Sequence, residues 1–317
     1  MVGRDDHRRG RKKVSIPGGF VGRRITGPEP LGRVNAKEER RVSVTVVTDS
    51  AAALDAVTVA AWDILVVPTQ LVVGDEHYLE SEFEISELFE RFDEGVSTAG
   101  PTPGAFSEAF AQAGGDVLAL TVAERLSSSC QAARVAVHKA QSRVRLLDTG
   151  TAAAAQALVV LEAAKAAKRG GSLDEVESAA RLVADRVRFF AAFETLEYLI
   201  RGGRIDGVVG GIAERLGIRP FLQIQAGGRL RTMRPSLSRR AALNRLVRLW
   251  RRSRVEGALL HVVAAHAMAL DDAKTLLDRV RAEVEPATSL ISEFGPVMAV
   301  HTGPGLVGLA WWWEAQA

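Results

Sequence analysis

Cysteine is nearly missing from this chain: Cys130 is the only one in 317 residues. That excludes an internal disulfide and any zinc site built on cysteines, and it suits a reducing, cytoplasmic compartment. Long apolar runs are missing too. Nothing approaches the roughly 18 uninterrupted residues of a membrane span, because the stretches 152–167 and 258–270 are broken by Gln, Glu, Lys or His. There is no G-x-x-x-x-G-K-[ST] phosphate loop, no G-x-G-x-x-G after a strand and no G-x-S-x-G elbow. The six histidines never take the H-x-x-x-H or H-E-x-x-H spacing, so no metal is expected. Neither sign of charge dominates, and the net charge is only +3.

The pI of 9.2 invites a nucleic-acid reading until the charge is located. Residues 1–40 hold 11 Lys/Arg against five Asp/Glu, and the remainder holds 30 against 33. The basicity therefore belongs to the opening segment, which mixes Arg, Gly and Pro with almost no apolar periodicity. Residues 1–41 read as a disordered tail. It has no apolar h-region, so it does not read as a secretory signal. No recognisable reading motif accompanies it, and nucleic acid is disfavoured as a partner.

What is present is an α/β pattern. The runs 42–47, 64–67, 117–121 and 144–147 are short and nearly continuously apolar, as strands buried on both faces of a parallel sheet are. Helical segments lie between them. One is expected to be capped by Ser86. Another is opened by Thr102-Pro103 and stopped by Gly114-Gly115. Ser172-Leu173-Asp174-Glu175 is a capping box. From about residue 186 the pattern changes. Residues 189–193, 221–225, 229–233, 257–264, 289–293 and 297–301 read as strands, with Ala226-Gly227-Gly228 as a hairpin turn. Helices are expected over 237–252 and 271–284. The expected fold is an α/β parallel-sheet domain over 42–185, followed by an α+β domain with a mixed or antiparallel sheet over 186–317.

Three polar clusters follow strands of the first half: Thr48-Asp49-Ser50, residues 121–129 and Asp148-Thr149-Gly150. Each alone reads as caps and turns. Together they fall at the carboxyl edge of one parallel sheet, where ligands bind in open α/β folds. Leu126-Ser127-Ser128-Ser129 runs into an alanine-rich helix whose free N–H groups favour a single carboxylate over a triphosphate. Cys130, near that helix start, reads as a small buried packing residue.

These motifs, as an ordered set, resemble the DegV family of fatty-acid-binding proteins over roughly residues 42–312. The chain carries T-D-S at Thr48–Ser50, V-P at Val67-Pro68, Leu-Glu-Tyr-Leu followed by Gly-Gly-Arg-Ile within 196–205, and H-x-G-P-G at His301–Gly305. The resemblance implies a two-domain protein with no catalytic residues, holding a long-chain fatty acid with its carboxylate at the domain junction. It also implies presentation of that carboxylate to a separate ATP-dependent kinase that makes acyl phosphate for lipid synthesis. The head-group ligands it implies are Thr98, Ser127 and His301. Three places depart from the family pattern. T-S-x-P reads Thr98-Ala99-Gly100-Pro101, I-K-P reads Ile218-Arg219-Pro220, and L-S-G-T reads Leu126-Ser127-Ser128-Ser129, which sets Ser128 beside the head group as a further ligand-binding residue.

A second feature bears on partners. From Arg215 to Val255 there are 12 arginines and no acidic residue. The helix over 237–252 sets Leu243, Leu246, Val247 and Trp250 on one face and leaves Arg240, Arg245, Arg248, Arg251 and Arg252 elsewhere. A solvated basic face accounts for this. So does a docking surface for an acidic kinase or a peripheral contact with an anionic membrane, using Arg248 and Arg252 with Arg204 nearby. The alternative to a lipid carrier is an enzyme acting on a small acidic or phosphorylated substrate in the same crevice, with Ser127 or His301 reacting.

Overall fold

The computed structural model describes residues 43–205 and 218–316. The tail expected over 1–41 lies outside them. In chain order the strands are β1 (Val44–Asp49), β2 (Leu65–Val67), β3 (Gln70–Val73), β4 (Glu76–Leu79), β5 (Val96–Ala99), β6 (Asp116–Thr121) and β7 (Val144–Asp148). They continue as β8 (Arg188–Ala192), β9 (Arg219–Gln225), β10 (Arg229–Ser236), β11 (Leu259–His266), β12 (Thr288–Glu293) and β13 (Val307–Glu314).

The first half is the expected parallel sheet, in the order β2-β1-β6-β7. Its central strands are buried on both faces: Val47, Val117, Leu118, Ala119 and Leu120 are all inaccessible. Covering helices supply the second layer. Thr102 caps the helix Pro103–Ala113 by accepting from the Ala105 N–H at 3.1 Å, and Gly114 ends it at φ +67. The Ser172–Glu175 capping box forms as read. Ser86 caps nothing, because its helix, Ile85–Glu90, begins two residues earlier than that cap would set it, with Glu84 at the N-cap.

The second half is a six-stranded mixed sheet, β10-β9-β8-β13-β11-β12, antiparallel except for the β11–β12 pair. Residues 297–301, read as a strand, form the helix Pro296–Thr302. Pro296 at its first turn has a fixed φ suited to a helix start and no N–H to leave unpaired. The strand beside the sheet's centre is instead β13, whose Trp311 and Trp312 are buried. A third sheet, the antiparallel β4-β3-β5, completes the described residues.

One helix joins these layers. Ala153–Lys168 has 13 buried residues out of 16, and its alanines let it pack against β1 on one side and β11 and β13 on the other. Small side chains permit that close approach at interior density. Polar contacts fix its C-terminal half, where Lys165 Nζ donates to Thr288 Oγ1 at 2.9 Å and pairs with Glu162 at 3.2 Å. Both sheets belong to one compact unit, Arg41–Ala317.

Candidate ligand cavity

The polar clusters at the parallel-sheet edge turn out to be mostly scaffold. Asp49 is fully buried, and its carboxylate accepts from the Val122 N–H at 2.9 Å and from Gln156 Nε2 at 2.8 Å. Burial pushes its pKa up to about 6 against these stabilising donors. Thr149 Oγ1 donates to the Thr121 carbonyl at 2.8 Å, and Asp148 accepts from Gly150 N and Glu124 N. These bonds tie the loops after β1, β6 and β7 to one another. Cys130 is buried, as expected of a packing residue.

Beside this scaffold lies a cavity of about 310 Å3 whose walls come from strands of the mixed sheet, from β5 and from the loops that follow the strands of the parallel sheet. Phe189, Phe193, Leu199, Leu222, Phe294 and Leu306 make it apolar, and all six are buried. At its partly exposed side stand Thr98, Ser127, Ser128, Arg204 and His301. The structure thus brings together four residues from three distant segments: Thr98 on β5, Ser127 and Ser128 on the loop after β6, and His301 on the helix Pro296–Thr302.

Each arrives for a local reason. Thr98 is set by pairing of β5 with β3, where it faces Leu71 in register. Ser127 precedes the helix Ser129–Val137 and accepts from the Ser129 N–H at 3.2 Å. Its hydroxyl also lies 3.2 Å from Ser129 Oγ, a bond in which either oxygen can be the donor. His301 Nε2 lies 2.8 Å from Thr98 Oγ1, a hydrogen bond that ties the helix Pro296–Thr302 to β5 and leaves only the imidazole ring to titrate between them. Burial, with the Arg204 cation adding to it, pushes the His301 pKa down to about 4, so the ring is neutral at neutral pH.

Sequence reasoning missed the glycines that make this possible. A Cβ on Gly202 would stand 2.4 Å from His301 Nδ1, and one on Gly303 would stand 2.2 Å from Tyr198 Cδ2. The Gly-Gly-Arg turn and the H-x-G-P-G turn are therefore packed into each other across about a hundred residues of chain. The doubled glycines were the signal, legible only as turns.

Arg204 sits in the cavity wall. It is half-buried, donates from Nε to the Leu126 carbonyl at 3.3 Å and also bonds the Gly202 carbonyl. Among the described residues no carboxylate pairs with it, and burial lowers its pKa. Of the helix arginines, three are occupied: Arg239 pairs with Glu194 and Asp272, Arg245 lies 4.2 Å over the Phe221 ring, and Arg251 pairs with Glu283. Arg240, Arg248 and Arg252 are exposed without an acidic partner among the described residues. Among those residues there is no cluster that could hold a metal and no helix long and apolar enough to cross a membrane.

Comparison with known proteins places these observations. Residues 43–314 match the family model described as "Uncharacterised protein, DegV family". A DegV domain-containing protein of Streptomyces coelicolor is 36% identical over 275 residues, covering 84% of this chain and 97% of its own. Among solved structures, a fatty-acid-binding DegV family protein from Thermus thermophilus superposes with a TM-score of 0.78 at 26% identity, over 86% of this chain and 99% of its own. A Thermotoga maritima protein, whose structure reveals fatty acid binding function, matches with a TM-score of 0.75 at 25% identity, over 86% and 99% of the two chains.

Proposed function

The chain belongs to the DegV family, and on that premise we propose that it binds a long-chain fatty acid and presents the carboxylate to a separate ATP-dependent kinase. The observation that carries the reading is the division of the cavity into a buried apolar interior and a partly exposed polar side.

The energetics favour that division of labour. Burying about 15 methylenes at roughly 0.8 kcal/mol each has an upper value near 12 kcal/mol. Two or three neutral hydrogen bonds add about 1 kcal/mol apiece. The acyl chain supplies affinity, and Thr98, Ser127 and His301 orient the head group. A neutral His301 suits this role. It donates or accepts one hydrogen bond with Thr98, while Arg204 supplies the positive charge in the wall. In this reading no residue of the chain does bond-making chemistry, and the kinase carries the nucleotide.

The Ser127→Ala variant tests the reading. The fluorescent fatty-acid affinity should fall only about fivefold, because the methylenes still hold the chain. Phosphorylation by the cognate kinase should fall by more than tenfold, because the head group is no longer aimed. Equal losses in the two assays would overturn presentation. Wild-type protein that binds no fatty acid and co-purifies with none would overturn the lipid reading itself.

A further inference from the structure

Gly100 and Ser128 face each other across the cavity's polar side. A Cβ on residue 100 would stand 2.5 Å from Ser128 Oγ and 3.3 Å from the Ser129 nitrogen. The Ser128 hydroxyl thus occupies the volume that any other residue at position 100 would fill. Gly100 has no left-handed backbone to explain its identity, since its φ lies outside the positive range. The space it leaves is the only requirement visible at that position.

Ser128 is poor at the ordinary work of its location. It stands at the N-cap of the helix Ser129–Val137, yet its side chain makes no capping bond. The neighbouring Ser127 hydroxyl takes the Ser129 N–H instead. Ser128 Oγ has no hydrogen-bond partner among the described residues, and it lines the same cavity as Thr98, Ser127 and His301. Ser128 is exposed at the cavity's rim, and its hydroxyl, released from capping and fitted beside Gly100, is free to donate to a ligand that displaces solvent there.

We infer that Ser128 is a head-group ligand in its own right, held in place by the missing side chain at Gly100, and that the pair tunes this cavity to a group with two acceptor oxygens. This rests on the fatty-acid reading and deepens it. A carboxylate offers about four lone-pair sites, more than the hydroxyls of Thr98 and Ser127 fill. An ester or an alcohol offers fewer and carries no charge to strengthen the bonds.

The test is a double-mutant cycle on Ser128→Ala and Gly100→Ala, read by displacement of a fluorescent fatty acid with hexadecanoic acid and with its methyl ester. Ser128→Ala should weaken the acid about five- to tenfold and change the ester less than twofold. Gly100→Ala should fold normally, because the colliding atom is the end of a side chain that can turn away. It should weaken the acid by a similar factor, since turning away takes the hydroxyl out of position. The double variant should be no weaker than either single one. Full affinity for the acid in Ser128→Ala, or losses that multiply in the double variant, would overturn the inference while leaving the lipid reading standing. A wild-type protein that binds neither probe would sink the lipid reading first.

Discussion

His301 owes its position to an atom that is missing. The ring can lie against Gly202 only because that residue has no Cβ, and the 2.4 Å approach leaves no tolerance. Gly202→Ala should therefore push the ring away from Thr98 and weaken hexadecanoic acid about tenfold, or about 1.4 kcal/mol. Gly104→Ala, on the helix Pro103–Ala113 where a Cβ meets only Thr102 Oγ1 at 3.5 Å, should bind as the wild type does. Isothermal titration of both variants is the check. Asp49 makes a second residue-scale prediction. Its pKa is raised from 3.8 to about 6, so the folded protein holds that proton more tightly than the unfolded chain. This stabilising contribution is complete below about pH 4 and is lost as pH rises through 6. His301, lowered from 6.5 to about 4, acts in the opposite sense, since the unfolded chain binds its proton first as pH falls. The stability difference between wild type and Asp49→Asn isolates the first group. It should move against the wild type by about 2 kcal/mol between pH 4 and pH 7 in urea titrations. A constant difference would show that burial does not raise the Asp49 pKa above that of the unfolded chain.

At the scale of elements, the helix Pro296–Thr302 is held from outside its own segment. Glu80, buried between β4 and this helix, accepts from the Val297 N–H at 3.2 Å and from Thr69 Oγ1 at 2.8 Å. Gly295 leaves room for it, since a Cβ there would meet its Oε1 at 2.2 Å. Burial raises the Glu80 pKa even against these donors. Glu80→Ala would strand the buried Val297 N–H, while the Thr69 hydroxyl keeps Ser50 Oγ at 2.7 Å, and should cost about 1 to 3 kcal/mol by chemical denaturation. Glu80→Gln keeps an acceptor for Val297 and should recover at least half of that. This dependence also explains which elements the sequence discloses. The parallel strands are legible because burial on both faces leaves an uninterrupted apolar run. The caps at Thr102 and Ser172 are legible because their partners lie three residues away. Val297–His301 reads as a strand because Val297, Met298, Ala299 and Val300 form a short unbroken apolar run, and the contact that holds its helix start comes from residue 80. The sheet β4-β3-β5 is equally hidden: its strands are four residues each, too short for periodicity to speak. For the site, Thr98, Ser127, Ser128 and His301 are nameable from motifs. Gly202, Gly100 and the placing of Arg204 in the wall are not, because each is defined by what approaches it from another segment.

For the whole molecule, the proposed handover needs a partner surface in addition to the cavity's polar side. Arg248 and Arg252 are exposed and lack acidic partners among the described residues, whereas Arg245 and Arg251 are engaged by Phe221 and Glu283. Reversing both charges with Glu should slow phosphorylation by the cognate kinase severalfold at low salt and leave fatty-acid affinity unchanged. The effect should fade as ionic strength rises, because exposed charges are screened beyond about 10 Å at 0.1 M. Unaltered kinase rates at low salt would remove this face from the docking surface. The cavity makes a complementary prediction. Its walls are drawn from β5, β8, β9 and the loops of the parallel sheet, so an acyl chain inside touches both halves of the fold at once. A ligand bound only by the native state stabilises it by about 2.7 kcal/mol at a free concentration one hundred times its Kd. Protein stripped of lipid should therefore melt several degrees lower than protein loaded with hexadecanoic acid. Loading should also protect amides of both sheets from hydrogen exchange, since neither half can open without releasing the chain. Protection confined to the parallel sheet would mean that the acyl chain does not bridge the two, and that the cavity is occupied only at its polar end.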